Sequence, residues 1–173
     1  MKPNKATPMS YPRIAKWLHW VSAIVIIWAT LSGFYLSFSD SEAVKALIAH
    51  TNVSLTTLLI PVFLFRIAYR AVSQQPDHLL VSGHFPWLAH IAHLLLYALT
   101  LLVLVSGVIM MREPIAVFDW FVLPQPVKSA ALNSDFKHIH SWMSRLLGCV
   151  VLIHIFAVIY HQRAGRQVLA RML

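Results

Sequence analysis

The sequence predicts an all-α, integral membrane protein built as a four-helix bundle, and three features predict it. Of 173 residues, 58% are hydrophobic and 12% charged, with a mean hydropathy of +0.68. A water-soluble domain of this size cannot bury that much apolar surface, so lipid must solvate much of it. The apolar residues fall into four stretches of about 20 or more, the length that crosses a hydrocarbon layer about 30 Å thick. Lys and Arg gather at the ends of these stretches and form no basic run. The net charge of +8 therefore describes topology and argues against nucleic acid as a partner.

The first predicted span covers residues 17–38, anchored by Lys5, Arg13, Lys16, Trp17 and Trp20. Its apolar run is longer than the core of a cleavable signal, and no small-residue cleavage site follows it. The second span covers 44–69 and contains Pro61, which frees a carbonyl and is expected to bend the helix, as membrane helices tolerate. Ser73-Gln74-Gln75-Pro76-Asp77 marks a polar loop. Pro86 opens the third span, 86–111, and Arg112-Glu113-Pro114 ends it. Between Met111 and Phe136 three prolines surround Val117-Phe118-Asp119-Trp120-Phe121, which is expected to be an interfacial loop or short helix. The fourth span covers 138–160 and is followed by Arg163, Arg166 and Arg171. The lone Cys149 has no intrachain disulfide partner and is expected to be a small buried apolar residue. The chain is expected to form one transmembrane domain, 1–173, with no soluble catalytic domain beside it.

Of the 14 Lys and Arg residues, nine fall on one side of a four-span chain: Lys2, Lys5, Arg13, Lys16, Arg66, Arg70, Arg163, Arg166 and Arg171. Lys45, Arg112, Lys128, Lys137 and Arg145 fall on the other. The positive-inside rule then puts both termini of a multi-pass protein in the cytoplasm.

Ten histidines in so apolar a chain need partners for their ring nitrogens, and cofactor ligation is one way to supply them. His19 and His154 share one membrane depth, and His50 and His140 share the other. Fourteen residues separate His140 from His154. That is nearly four helical turns, so both rings lie on one helix face about 21 Å apart. His138 projects roughly 160° away from the His154 direction. Two imidazoles on opposite faces of a haem fill its iron coordination and leave no site for oxygen, so such a haem transfers electrons. The four histidines are the candidate axial ligands of two b-type haems stacked across the membrane. Gly33, Gly107 and Gly148 either let a haem plane approach backbone or serve tight helix packing. A non-redox metal transporter is the third class considered. It is disfavoured because the histidine motifs lack the carboxylate or thiolate partners common in such sites, and the spans contain no acidic residue.

The same residues carry a resemblance. The stretches Trp17-Leu18-His19-Trp20, Ile48-Ala49-His50, Leu88-Ala89-His90-Ile91-Ala92-His93, Gly107-Val108-Ile109-Met110-Met111 and Pro114 through Phe121, with His140 fourteen residues before His154, resemble the bacterial cytochrome b561 family. Its members include a superoxide:ubiquinone oxidoreductase. The resemblance covers nearly the whole chain. It implies that His19 and His154 bind a cytoplasmic-side haem, and that His50 and His140 bind a periplasmic-side haem. The family often has Ser-Trp just before its third ligand. Here Lys137-His138-Ile139 precedes His140 and Ser141-Trp142 follows it, which keeps His138 as a rival position.

His161 lies on nearly the same face as His154, two turns on, and the resemblance implies a quinone headgroup there, with a solvated helix end as the plain alternative. His90 and His93, one turn apart, are candidates for propionate bonding or a quinone site, for interface anchoring, and as rival ligands to His19. Arg66 and Arg70 share a helix face where guanidinium groups suit haem propionates or lipid phosphates. Arg112, Lys128 and Lys137 flank the loop before His140 and suit steering of an anion such as superoxide, although Glu113, Asp119 and Asp135 sit among them. Two redox roles follow. One is an oxidoreductase joining an external one-electron donor, superoxide for example, to ubiquinone. The other is a cytochrome subunit anchoring a separate periplasmic dehydrogenase or hydrogenase, which a large exposed apolar patch between Met111 and Phe136 would favour.

Overall fold

A computed structural model describes residues 10–73, 86–166 and 168–173. Four helices dominate: α1 Arg13–Leu36, α2 Glu42–Val72, α3 Pro86–Ile109 and α4 Ala130–Arg163. Each is long and apolar enough to cross a membrane. Side chains and charges set their ends. Ser41 caps α2 by accepting a bond from the Val44 amide, and Glu42 in the first turn faces the positive end of the helix dipole. Ser129 caps α4 in the same way through the Leu132 amide. This cap starts α4 eight residues before the predicted span, because its first two turns are polar and lie beyond the apolar stretch. α2 continues through Pro61 without interruption. Of the predicted polar loop only Ser73 belongs to the described residues, and the Lys2 and Lys5 anchors lie outside them.

Consecutive helices pack as two tight pairs, α1 with α2 and α3 with α4. The pairs meet along thinner α2–α3 and α1–α4 contacts. Leu59, Phe63 and Leu104 form the core, with Val25, Ile26, Ile60 and Tyr97 against them. Large apolar side chains such as Ile24, Leu31, Ile153 and Phe156 point outward, as lipid solvation allows. Three buried hydroxyls donate to carbonyls of their own helices. Ser22 donates to the Leu18 carbonyl, Ser32 to Trp28 and Ser106 to Leu102, each at 2.6 Å. Cys149 is exposed on α4, not buried as expected; in a bilayer an outward helix face is itself apolar and accommodates a thiol.

The segment between α3 and α4 differs from expectation. It is a two-stranded antiparallel hairpin, β1 Ile115–Val117 paired with β2 Phe121–Leu123, and not a loop or short helix. The turn closes through the Trp120 amide to the Val117 carbonyl at 2.9 Å. Phe118 and Asp119 within it have φ of 46° and 58°. Asp tolerates this region, but a bulky side chain adopts it only under constraint. The constraint is Ser54 of α2, whose fully buried hydroxyl accepts from the Phe118 amide at 2.9 Å and donates to the Ala116 carbonyl at 3.4 Å. The buried Asn133 of α4 ties the hairpin end together. Its amide nitrogen shares two hydrogens among the carbonyls of Ile109, Met111 and Val127, at 2.7–3.2 Å.

At the opposite end the two chain ends clasp each other. The Tyr11 amide donates to the Arg171 carbonyl at 3.2 Å, and the Trp20 indole to the Met172 carbonyl at 2.8 Å. A 3-10 turn, Leu169–Arg171, shapes this return.

Candidate functional site

The described histidines divide between the two ends of the bundle. At the hairpin end, His140 of α4 turns its Nδ1 toward α3. It lies 3.0 Å from the Val103 carbonyl and 3.2 Å from Ser106 Oγ. A carbonyl can only accept, and the Ser106 proton is already given to Leu102, so Nδ1 carries the ring hydrogen and Nε2 keeps its lone pair. This is the orientation that a metal-ligating imidazole requires. Gly107 makes it possible. A Cβ there would stand 3.2 Å from His140 Cε1 and 3.4 Å from Nδ1. Gly107 therefore makes room for an imidazole. Gly148 instead serves packing, because a Cβ there would meet Thr30 Cγ2 of α1 at 3.0 Å, whereas a Cβ at Gly33 would meet nothing.

His50 of α2 faces the hairpin. Its Nε2 is 3.9 Å from Asp119 Oδ2, and its ring meets Phe118 edge-on with centroids 6.4 Å apart. Neither partner was apparent from the sequence, since both depend on the strained turn. His138 is exposed, on a different side of α4 from His140.

At the termini end, His19 of α1 and His154 of α4 lie within electrostatic reach of each other, and Arg66 of α2 acts on both. Arg66 Nη2 donates to His19 Nδ1 at 3.0 Å, and its Nε donates to the Tyr97 hydroxyl at 3.0 Å. Arg70 stacks over the same ring, 4.9 Å from its centroid. Of the α3 histidines, His93 enters this cluster with its ring 5.6 Å from that of His154, whereas His90 is exposed. Tyr97 escaped the sequence reading. Its spacing of one helical turn from His93 was the available signal. His161 lies two turns beyond His154, with its Nδ1 3.3 Å from Arg166 Nη1 and its ring edge-on to Tyr160.

The donor set suits a haem better than a bare ion. Among the described residues no three His, Cys, Asp or Glu side chains converge to hold a metal ion. The histidines instead occur in separate groups, with α4 contributing one to each end. That pattern fits iron whose other four ligands come from a macrocycle.

Comparison with known proteins agrees. The family model described as prokaryotic cytochrome b561 matches residues 10–173. Cytochrome b561 homolog 2 of Escherichia coli (strain K12) is 30% identical over 176 aligned positions, covering 96% of this chain and 93% of that relative. The chain belongs to the prokaryotic cytochrome b561 family, and is thus a multi-pass membrane haem protein of electron transfer.

Proposed function

We propose that the chain holds two b-type haems and passes electrons between a one-electron donor at the hairpin end and the membrane quinone pool at the termini end. His50 and His140 would hold the first haem, and His19 and His154 the second. One observation carries this reading: His140 has its Nδ1 bonded to α3 and its Nε2 available, fourteen residues from His154 on the same helix. Bound there, the haems would supply reversible one-electron iron chemistry, and two imidazoles on each iron would exclude oxygen from it.

The chain's own groups do the rest. Val103 and Ser106 fix the His140 tautomer. Arg66 holds His19 Nδ1 as an acceptor. An imidazole that ligates through Nε2 carries its proton on Nδ1, where a guanidinium cannot donate, so with haem bound Arg66 would be free to hold a propionate. Arg70, one turn on, is the second candidate for a propionate. His161 is proposed to bind a quinone headgroup, ubiquinone in the reading favoured here, or to relay protons to it. Exposed Arg112, Lys128 and Lys137 at the hairpin end suit superoxide as the donor. Among the described residues no salt bridge ties them to Glu113, Asp119 or Asp135. By the positive-inside rule the termini end is cytoplasmic and the membrane a bacterial inner membrane. The activity would be that of a superoxide:quinone oxidoreductase.

A second role, anchoring a periplasmic dehydrogenase or hydrogenase, is favoured by the exposed apolar side chains of Trp120, Phe121, Val122 and Leu123 on the hairpin. Lipid headgroup contact would use the same aromatics.

The test is the dithionite-reduced minus oxidised spectrum, with haem quantified per chain, for the wild type and His140→Ala. Two b-type haems falling to one is the expected result. A wild type without haem under ample haem supply overturns the proposal.

A further inference from the structure

Arg171 lies in a tail that reads from sequence as merely topogenic, yet it is folded back and only 8% exposed. Among the described residues its guanidinium makes no ion pair and no hydrogen bond, and its nitrogens keep contact with solvent while the rest of the side chain is covered, so the charge is held in place and open to a ligand. Its surroundings are basic and aromatic. Burial pushes the Tyr11 phenol up, and the charges of Arg171 and Arg70 both pull it back, so both guanidinium groups lie within electrostatic reach of one hydroxyl; the Tyr11 amide also bonds the Arg171 carbonyl at 3.2 Å. Arg70 and Arg66 both stack on Tyr97. The described acidic residues, Asp40, Glu42, Glu113, Asp119 and Asp135, all belong to the hairpin end, so none of them neutralises this cluster.

Position narrows the ligand. Arg70 is in the last turn of α2, Tyr11 stands just before α1, and Arg171 follows α4. All three sit where helices leave the hydrocarbon layer. Exposed Trp17 and Trp87 at the same ends form an aromatic belt of the kind that marks headgroup depth. Arg66 lies a turn deeper, beside His19, and belongs to the proposed haem site.

We propose that Arg171 and Arg70, beside Tyr11, bind the phosphate of an anionic phospholipid, and that the clasp between the chain ends exists to hold Arg171 there. Forked guanidinium groups suit phosphate oxygens, and basic pockets between membrane helices take lipid headgroups in this way. The proposal does not depend on how the haems are ligated.

The test is native mass spectrometry of the detergent-purified, haem-loaded protein after delipidation, titrated with phosphatidylglycerol and with phosphatidylcholine. The wild type is expected to prefer phosphatidylglycerol by roughly tenfold or more, with Arg171→Gln losing about fivefold of that preference. Arg171→Lys should keep part of it. Equal affinity of the wild type for the two lipids, or an unchanged preference in Arg171→Gln, overturns the proposal. Displacement of phosphatidylglycerol by millimolar inorganic phosphate reassigns the site to a free anion and also overturns it. If Arg171→Gln loses haem and keeps its lipid preference, Arg171 serves the cofactor instead. If that variant fails to fold, the wild-type preference and Arg171→Lys still decide.

Discussion

At Gly107 and Ser54, single small residues set the surroundings of two histidines. A methyl group at Gly107 would stand 3.2 Å from His140 Cε1, tighter than side chains ordinarily pack, so the imidazole must tilt from the Val103 carbonyl. Gly107→Ala is expected to leave helix content unchanged and to shift the electron-paramagnetic-resonance signal of the haem proposed at the hairpin end alone. Ser54 acts through the backbone. Its hydroxyl holds the Phe118 amide in a conformation that costs about 1–3 kcal/mol, and so keeps Phe118 and Asp119 against His50. In Ser54→Ala the turn relaxes and the carboxylate leaves. A negative charge beside a haem favours the oxidised iron, so the midpoint potential of that haem should rise in Ser54→Ala. Ser54→Thr, which keeps a hydroxyl, should restore it. A redox titration that shows identical potentials would remove Ser54 from the site.

Among the elements, α4 does most of the organising, and Asn133 fixes where it begins. One buried amide nitrogen serves three carbonyls from the α3 exit and the loop, and Gln125 bonds two of the same carbonyls, those of Met111 and Val127. Asn133→Ala leaves buried acceptors underpaired and should cost about 1–3 kcal/mol. Thermal unfolding in detergent checks this, with Asp135→Ala as an exposed control expected to change nothing. Apolar runs, the Pro86 start and the Arg112-Glu113-Pro114 stop were enough to predict four helices, because the bilayer leaves the backbone few other options. The first turns of α4 escaped because a span is recognised by its apolar length, and Leu132, Asn133 and Asp135 precede that length. The hairpin escaped because its turn carries Phe118-Asp119 where a Gly-containing pair would announce positive φ, and its stability comes from Ser54, more than 60 residues away in sequence. Helical phase similarly placed His140 and His154 on one face of α4. It gave no hint of the Val103 carbonyl, which depends on the register between α3 and α4, or of His93 and Tyr97 beside the termini-end pair.

Across the whole molecule, charge is distributed in a way that constrains the donor side. At the hairpin end, Lys45, Arg112, Lys128, Lys137 and Arg145 are matched by Asp40, Glu42, Glu113, Asp119 and Asp135, whereas the described residues of the termini end include Arg13, Lys16, Arg66, Arg70, Arg163, Arg166 and Arg171 and no acidic residue. That asymmetry suits insertion with the termini in the cytoplasm and an anionic lipid held there. It also limits long-range steering. A neutral end attracts a superoxide anion only through the local arrangement of Arg112, Lys128 and Lys137, within about one Debye length, roughly 8–10 Å. With superoxide as the proposed donor, its rate of consumption should therefore fall with ionic strength, but by less than the tenfold or more that a strongly focused field produces. Stopped-flow measurements from low salt to about 0.5 M would show this. Lys128→Glu should lower the low-salt rate and flatten its salt dependence. A rate indifferent to both salt and Lys128 would mean that the donor is uncharged or reaches the haem away from these residues, and the weight would move to a partner protein docked on the apolar hairpin.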